Sequence, residues 1–202
     1  MTGVAEWKPL LTRALELDQP YSFRARNSGR RAAVLLLLGF PDDRSPAPSV
    51  LVTRRTEIVE THKGQYALPG GAMDPEDEAD RGLITTALRE TEEEVGIPRE
   101  TVDVVGALPE VWTPTGFLIT PVVGLLTVPI PAVVFAMSEA EIAHAFWVEL
   151  ATLRAPGIYR EETREYDGVR FPTDVFLVED HRIWGATGAM LKNLIQRLES
   201  LE

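Results

Sequence analysis

Residues 68–97 read LPGGAMDPEDEADRGLITTALRETEEEVGI. The stretch opens on a Pro69-Gly70-Gly71 turn, crosses an acidic loop and settles into helical periodicity. Ile84, Leu88, Thr91 and Val95 fall on one face, flanked by Leu83 and Ala87. At about 100° per residue, Glu90, Glu93 and Glu94 share an adjoining face while Glu92 points elsewhere. Gly96 and Pro98 supply the expected stop. Four carboxylates within five consecutive helical positions repel one another, so local stability does not explain them. A bound divalent cation would. Glu90 and Glu94 are i,i+4 and Glu93 is i+3 from Glu90, so all three can converge on one ion. Mg²⁺ and Mn²⁺ prefer carboxylate and water oxygens and leave positions open for phosphate. Arg89 can steady Glu93 four residues on, and the glycines let backbone approach a metal or phosphate unobstructed. A solvated Glu-rich surface is the ordinary reading of such a run. Its union with Pro-Gly-Gly, Arg-Glu and Gly-Ile favours the metal site.

Upstream, 32–40 is a continuous AAVLLLLGF run, the pattern of a strand buried on both faces, and 50–55 forms a second strand. Residues 4–17 read as an amphipathic helix, 24–31 as a basic loop, 41–49 as a Pro/Ser/Asp loop, and 56–68 as irregular structure or a short strand. Downstream, strands are predicted at 102–108 and 117–128, separated by the turn-rich WTPTG of 112–116. Ser138-Glu139-Ala140-Glu141 resembles a helix start, with Ser138 as cap and Glu141 at the capping-box position. Residues 158–170 are charged and loop- or hairpin-like, 173–178 suggest a short strand, and 184–201 form an amphipathic helix. Strands interspersed with three helices predict an α/β layered fold.

The chain of 202 residues is expected to form a single domain, residues 1–202, with 45% hydrophobic and 25% charged residues. A net charge of −11 argues against nucleic-acid or anionic-membrane partners, so a polyanionic substrate needs a local basic patch or metal ions. Without cysteine, any metal takes oxygen or imidazole ligands. The N-terminus lacks the apolar core of a signal peptide, and the longest apolar runs are too short to span a bilayer. A cytoplasmic enzyme or binding protein is expected.

The segment 68–97 resembles the Nudix box, whose pattern is Gly, five residues, Glu, seven residues, Arg-Glu, apolar, any, Glu-Glu, any, Gly, apolar. Arg89-Glu90-Thr91-Glu92-Glu93-Glu94-Val95-Gly96-Ile97 fits the second half, with Thr91 a mild departure. In the first half Asp77 stands where the pattern has Glu, and eleven residues rather than seven separate it from Arg89. Either about four residues are inserted around 78–82, or Glu78 takes the role. The resemblance extends to Thr61-His62-Lys63-Gly64-Gln65, Asp74-Pro75-Glu76-Asp77, Thr113-Pro114-Thr115-Gly116-Phe117 and Ile183-Trp184-Gly185-Ala186-Thr187. These segments are similar to the coenzyme A pyrophosphatase branch.

This resemblance implies a Nudix-type α/β/α sandwich with a mixed central sheet, and a hydrolase that cleaves a diphosphate bond with Mg²⁺ or Mn²⁺. Coenzyme A would yield 3′,5′-ADP and 4′-phosphopantetheine. Glu90, Glu93 and Glu94 are the expected metal ligands, with a Gly70 carbonyl as a further donor. Glu93, or Glu141 from a distant loop, is the expected general base, helix capping being the alternative role for Glu141. Arg55, His62 and Lys63 are candidates to bind substrate phosphate, with solvated loop charge as the alternative. His144 and His181 read as structural, and Trp112, Phe117 and Trp184 as core or loop packing. The expected partner is a small nucleotide-type substrate, with a homodimer also open. Two alternatives remain: another nucleoside diphosphate derivative such as ADP-ribose or a dinucleoside polyphosphate, and a non-catalytic Nudix-fold binding or regulatory protein.

Overall fold

The computed structural model describes residues 3–17, 30–42, 44–58, 63–77 and 82–202. The elements run α1 (Gly3–Glu16), β1 (Arg30–Gly39), β2 (Ser49–Arg55), β3 (Tyr66–Ala67), β4 (Gly70–Ala72) and α2 (Gly82–Val95). Then come β5 (Val102–Ala107), β6 (Val111–Trp112), β7 (Phe117–Leu126), β8 (Ile142–Glu149) and the short α3 (Leu150–Leu153). A hairpin of β9 (Tyr159–Tyr166) and β10 (Val169–Val178), then β11 (His181–Trp184) and α4 (Ala186–Glu199), completes the chain.

Strand β1, apolar from Ala32 onward, lies at the centre of a mixed sheet of eight strands among the described residues, parallel to β7 on one side and antiparallel to β2 and β4 on the other. Strand side chains alternate between faces. Ala33, Leu35 and Leu37 therefore pack toward α2 with Leu51, Ala87 and Val95. Leu36 and Leu38 join Leu11, Ala14, Leu191 and Leu194, from α1 and α4, on the opposite face. Two apolar faces need two helical layers, and the result is an α/β/α sandwich. The second sheet, β11-β10-β9, shares the α4-side core through Phe176, Val178 and Ile183. Arg197 docks α1 against α4 by donating to the carbonyls of Ala14 (3.0 Å) and Leu17 (2.6 Å). No helix among the described residues is long and apolar enough to cross a membrane.

Two features of the sheet shape the site. One edge of β1 is shared, with β2 pairing at Leu38 and Gly39 and β4 at Ala32–Val34. Between them Leu35 N–H donates to Pro69 O at 2.8 Å, which pins the Pro-Gly-Gly turn against the sheet. The turn needs glycine there: a Cβ on Gly70, whose φ is +150°, would lie 2.3 Å from the Ala33 carbonyl oxygen.

The predicted helix start at Ser138 is absent. Residues 139–141 form a turn leading into β8, whose Phe146, Trp147 and Val148 pair with β2. Aromatic and β-branched residues favour a pleated surface, and the free edge of β2 overrides the capping pattern. Ser138 N–H instead donates to Glu94 O at 2.9 Å, and Thr56 N–H to Glu141 O at 2.8 Å. The C-terminal helix begins at Ala186 rather than 184, because Ile183 and Trp184 pair with β10. The basic loop read at 24–31 lies outside the described residues apart from Arg30 and Arg31, which belong to β1.

Candidate active site

Helix α2 packs its apolar stripe on the sheet, which leaves Glu90 and Glu94 facing the Gly70-Gly71 strand. Glu94 Oε2 accepts from Gly70 N–H at 3.1 Å, and Oε1 lies 3.4 Å from Arg55 Nη1. Its side chain is only 4% exposed, and burial pushes its pKa up to about 8, against the opposing pull of Gly70 N–H and Arg55. Glu90 sits so close to the turn that a Cβ on Gly71 would be 2.4 Å from its carboxyl carbon. Burial raises its pKa as well, opposed by Arg89.

Arg89 is the hub of the acidic helix. Its guanidinium pairs with Glu90 and Glu93 at 3.0 Å each, with Asp74 at 3.1 Å and with Asp77 at 3.7 Å. The Asp77 carboxylate is buried (4% exposed), accepts from the Thr86 hydroxyl, and receives Asp74 N–H at 2.9 Å. Burial alone would raise Asp77, but Thr86, Asp74 N–H and Arg89 outweigh it and hold it below the usual carboxylate range. The position that the sequence left open therefore has a structural occupant: Asp77 ties the lengthened loop to α2 and braces Arg89. Glu78 lies outside the described residues.

Arg55 reaches the site because the β2–β8 register shifts between Arg54 and Arg55. Besides Glu94 it approaches Glu141 at 4.0 Å, and its buried Nε has no hydrogen-bond partner among the described residues. The structure thus brings Glu90, Glu94, Arg55 and Glu141 together from three parts of the chain. Glu93 is more peripheral, 60% exposed and held by Arg89. Lys63 is exposed in the turn before β3 and does not line the cavity described below, whereas Gln65 does. His62 lies outside the described residues. Among the described residues no three acidic or imidazole groups are already drawn around one point. The carboxylates are held instead by two arginines and a backbone amide.

A cavity of about 570 Å³ extends from this acidic end, where Arg55, Gly70, Gly71 and Glu94 line it. Its other walls come from Thr113, Pro114, Thr115 and Phe117, the β9–β10 hairpin and the start of α4. Phe117 and Trp184, expected to be packing residues, are part of that wall, while Trp112 pairs with Leu118 and lies outside it. The hairpin's contribution, Arg164, Glu165, Tyr166, Phe171 and Thr173, carried no sequence signal. They lie in or beside a charged stretch that reads as a solvated loop or hairpin, and only the second sheet's placement brings them to the cavity. His181 accepts or donates at Tyr66 Oη (2.8 Å) and packs on Phe146, and His144 stacks on Phe146.

A mixed sheet between helical layers, with an acidic helix set against a Gly-Gly strand, is the architecture of a Nudix hydrolase. The NUDIX domain family model matches residues 29–184, and the chain belongs to this family. Among curated relatives, "Uncharacterized Nudix hydrolase NudL" of Cronobacter sakazakii is 37% identical over 89% of this chain and 88% of its own length. Its namesake in Photorhabdus laumondii is 36% identical over 92% and 93%. Among solved structures, the Nudix hydrolase RenU of M. smegmatis is 28% identical, covering 64% of this chain and 76% of its own, with a TM-score of 0.50. The MutT protein of Methanosarcina mazei shares the fold at a TM-score of 0.52 and 18% identity, covering 88% and 98%. Nudix hydrolases generally use divalent metal ions.

Proposed function

We propose that the protein hydrolyses the diphosphate bond of coenzyme A, or of an acyl derivative, to 3′,5′-ADP and 4′-phosphopantetheine. The observation that carries this reading is the continuity of the cavity. Its acidic end holds Glu94 and Arg55 beside Gly70-Gly71, while its apolar, aromatic walls suit the nucleotide and thiol arms on either side of a diphosphate. The flanking motifs similar to the coenzyme A branch support the same substrate.

Glu90 and Glu94, with Glu93 at the rim, would hold the divalent cation. The donor set fits one: hard oxygen ligands, two of them burdened by burial, on a helix that faces open backbone. Such an ion, when bound, offsets phosphate charge and lowers the pKa of its water. Arg55, whose Nε has no hydrogen-bond partner among the described residues, orients the diphosphate. Glu141, half-exposed and near Arg55, takes the proton of the attacking water. Glu93 is less free to reach the attacking water because Arg89 holds its carboxylate. Water oxygen bonds to phosphorus, the bond to the bridging oxygen breaks, and two phosphomonoesters leave.

The test is a substrate panel of coenzyme A, acyl derivatives, ADP-ribose and a dinucleoside polyphosphate, with Mg²⁺ or Mn²⁺ and with chelator, products identified by mass. Coenzyme A should turn over fastest and only with metal, and Glu90→Gln and Glu94→Gln should each lower kcat by orders of magnitude without unfolding the protein. Faster turnover of ADP-ribose would change the substrate alone. No metal-dependent turnover of anything would leave a binding protein.

A further inference from the structure

We propose that Arg164, held over the ring of Trp184, recognises a phosphate monoester that the substrate carries apart from the diphosphate being cleaved. The inference rests on the coenzyme A reading, since that nucleotide bears a 3′-phosphate which its dephosphorylated form lacks.

The hairpin's charges are paired in a way that singles out one arginine. Glu162 accepts from Arg160 Nε at 2.7 Å and from Arg182, and Glu165 lies 3.4 Å from Arg170. Arg164 pairs with no carboxylate among the described residues. Its guanidinium carbon instead lies 4.0 Å from the centre of the Trp184 ring. Cation–π attraction of this kind restrains a guanidinium but spends none of its N–H groups, which stay available as a fork matched to phosphate. In a chain of net charge −11, a cation left so in a cavity wall is complementary to an anion.

The alternatives are narrower. With the guanidinium covering that face of Trp184, a nucleobase cannot stack there. The cleaved diphosphate belongs with Arg55 and Gly70-Gly71 on the main sheet, whereas Arg164 and Trp184 come from the second sheet. A second anionic group on the same ligand satisfies both positions.

The experiment compares kcat/KM for coenzyme A and 3′-dephospho-coenzyme A in the wild type, Arg164→Met, Arg164→Lys and Trp184→Leu. The wild type should favour coenzyme A. Arg164→Met should lower kcat/KM for coenzyme A about 10- to 100-fold, mainly through KM, and leave the dephosphorylated substrate within about twofold. Arg164→Lys should recover part of the preference, and Trp184→Leu should weaken it by releasing the guanidinium. Turnover of the dephosphorylated substrate also reports that each variant is folded. Equal loss on both substrates, or a wild type indifferent to the 3′-phosphate, overturns the inference while the proposed function stands. Failure of the wild type to cleave coenzyme A at all overturns both.

Discussion

Glu94 stands at the point where helix, turn and strand meet, and its carboxylate is nearly buried, with Gly70 N–H and Arg55 receiving its charge among the described residues. Its folded pKa, about 8, lies above the ordinary glutamate value of 4.5. A raised folded value means that the group's contribution to stability is complete below the unfolded pKa and is lost as pH climbs through the folded one. Metal-free protein should therefore lose thermal stability between roughly pH 5 and pH 8, and Glu94→Gln should flatten that decline. Parallel Tm profiles for chelator-treated wild type and variant would contradict the assignment. The same carboxylate must give up its proton to take a cation, so metal uptake near neutral pH should release protons. Asp77, two chain segments away in character, is the opposite case. It is buried yet charged, because Thr86, Asp74 N–H and Arg89 surround it.

At the level of elements, the continuous apolar run of β1 serves two helical layers, and the amphipathic α2 covers one of them while presenting its glutamates at the edge. The other layer depends on close approach. A Cβ on Gly188 of α4 would lie 2.3 Å from the Asp174 carbonyl oxygen in β10, the strand whose Asp174 side chain also receives Lys192 at 2.8 Å. Gly188→Ala gains about 1 kcal/mol of helix propensity but drives backbone against backbone, a cost of about 1–3 kcal/mol or more. The steric cost should win. Tm should fall by several degrees, and because α4 and the hairpin wall the cavity, KM should rise with it. A variant as stable as the wild type would show that this packing is looser than the structure has it.

For the whole molecule, the governing quantity is charge. The four glutamates of α2 add to a net −11, and among the described residues the site holds its carboxylates with Arg89, Arg55 and the Gly70 amide. A cation that binds the folded state alone should stabilise it by about 2.7 kcal/mol at one hundred times its Kd, raising Tm by about 5–11 °C for a domain of this size. Differential scanning with Mg²⁺ or Mn²⁺ against chelator measures this directly. Loss of the shift in Glu90→Gln places the ion on α2, and an unchanged shift in that variant places it elsewhere.

What local sequence can carry, it carried. The apolar run at 32–40, the stripe through Ile84, Leu88, Thr91 and Val95, and the Arg89–Ile97 cluster state their periods and chemistry within single elements, so the layered fold and acidic helix are legible in the sequence alone. The capping pattern at Ser138–Glu141 misled because a four-residue signal is weaker than a vacant strand edge on β2. Asp77's role could not be read because it depends on where a lengthened loop returns. Arg164 and Trp184 meet across two strands of a second sheet, and Arg55 is turned toward Glu94 by a register shift. Such contacts join residues distant in the chain, and no periodicity or motif encodes their distance. Only the tertiary structure decides which charges are paired and which are left to face a ligand.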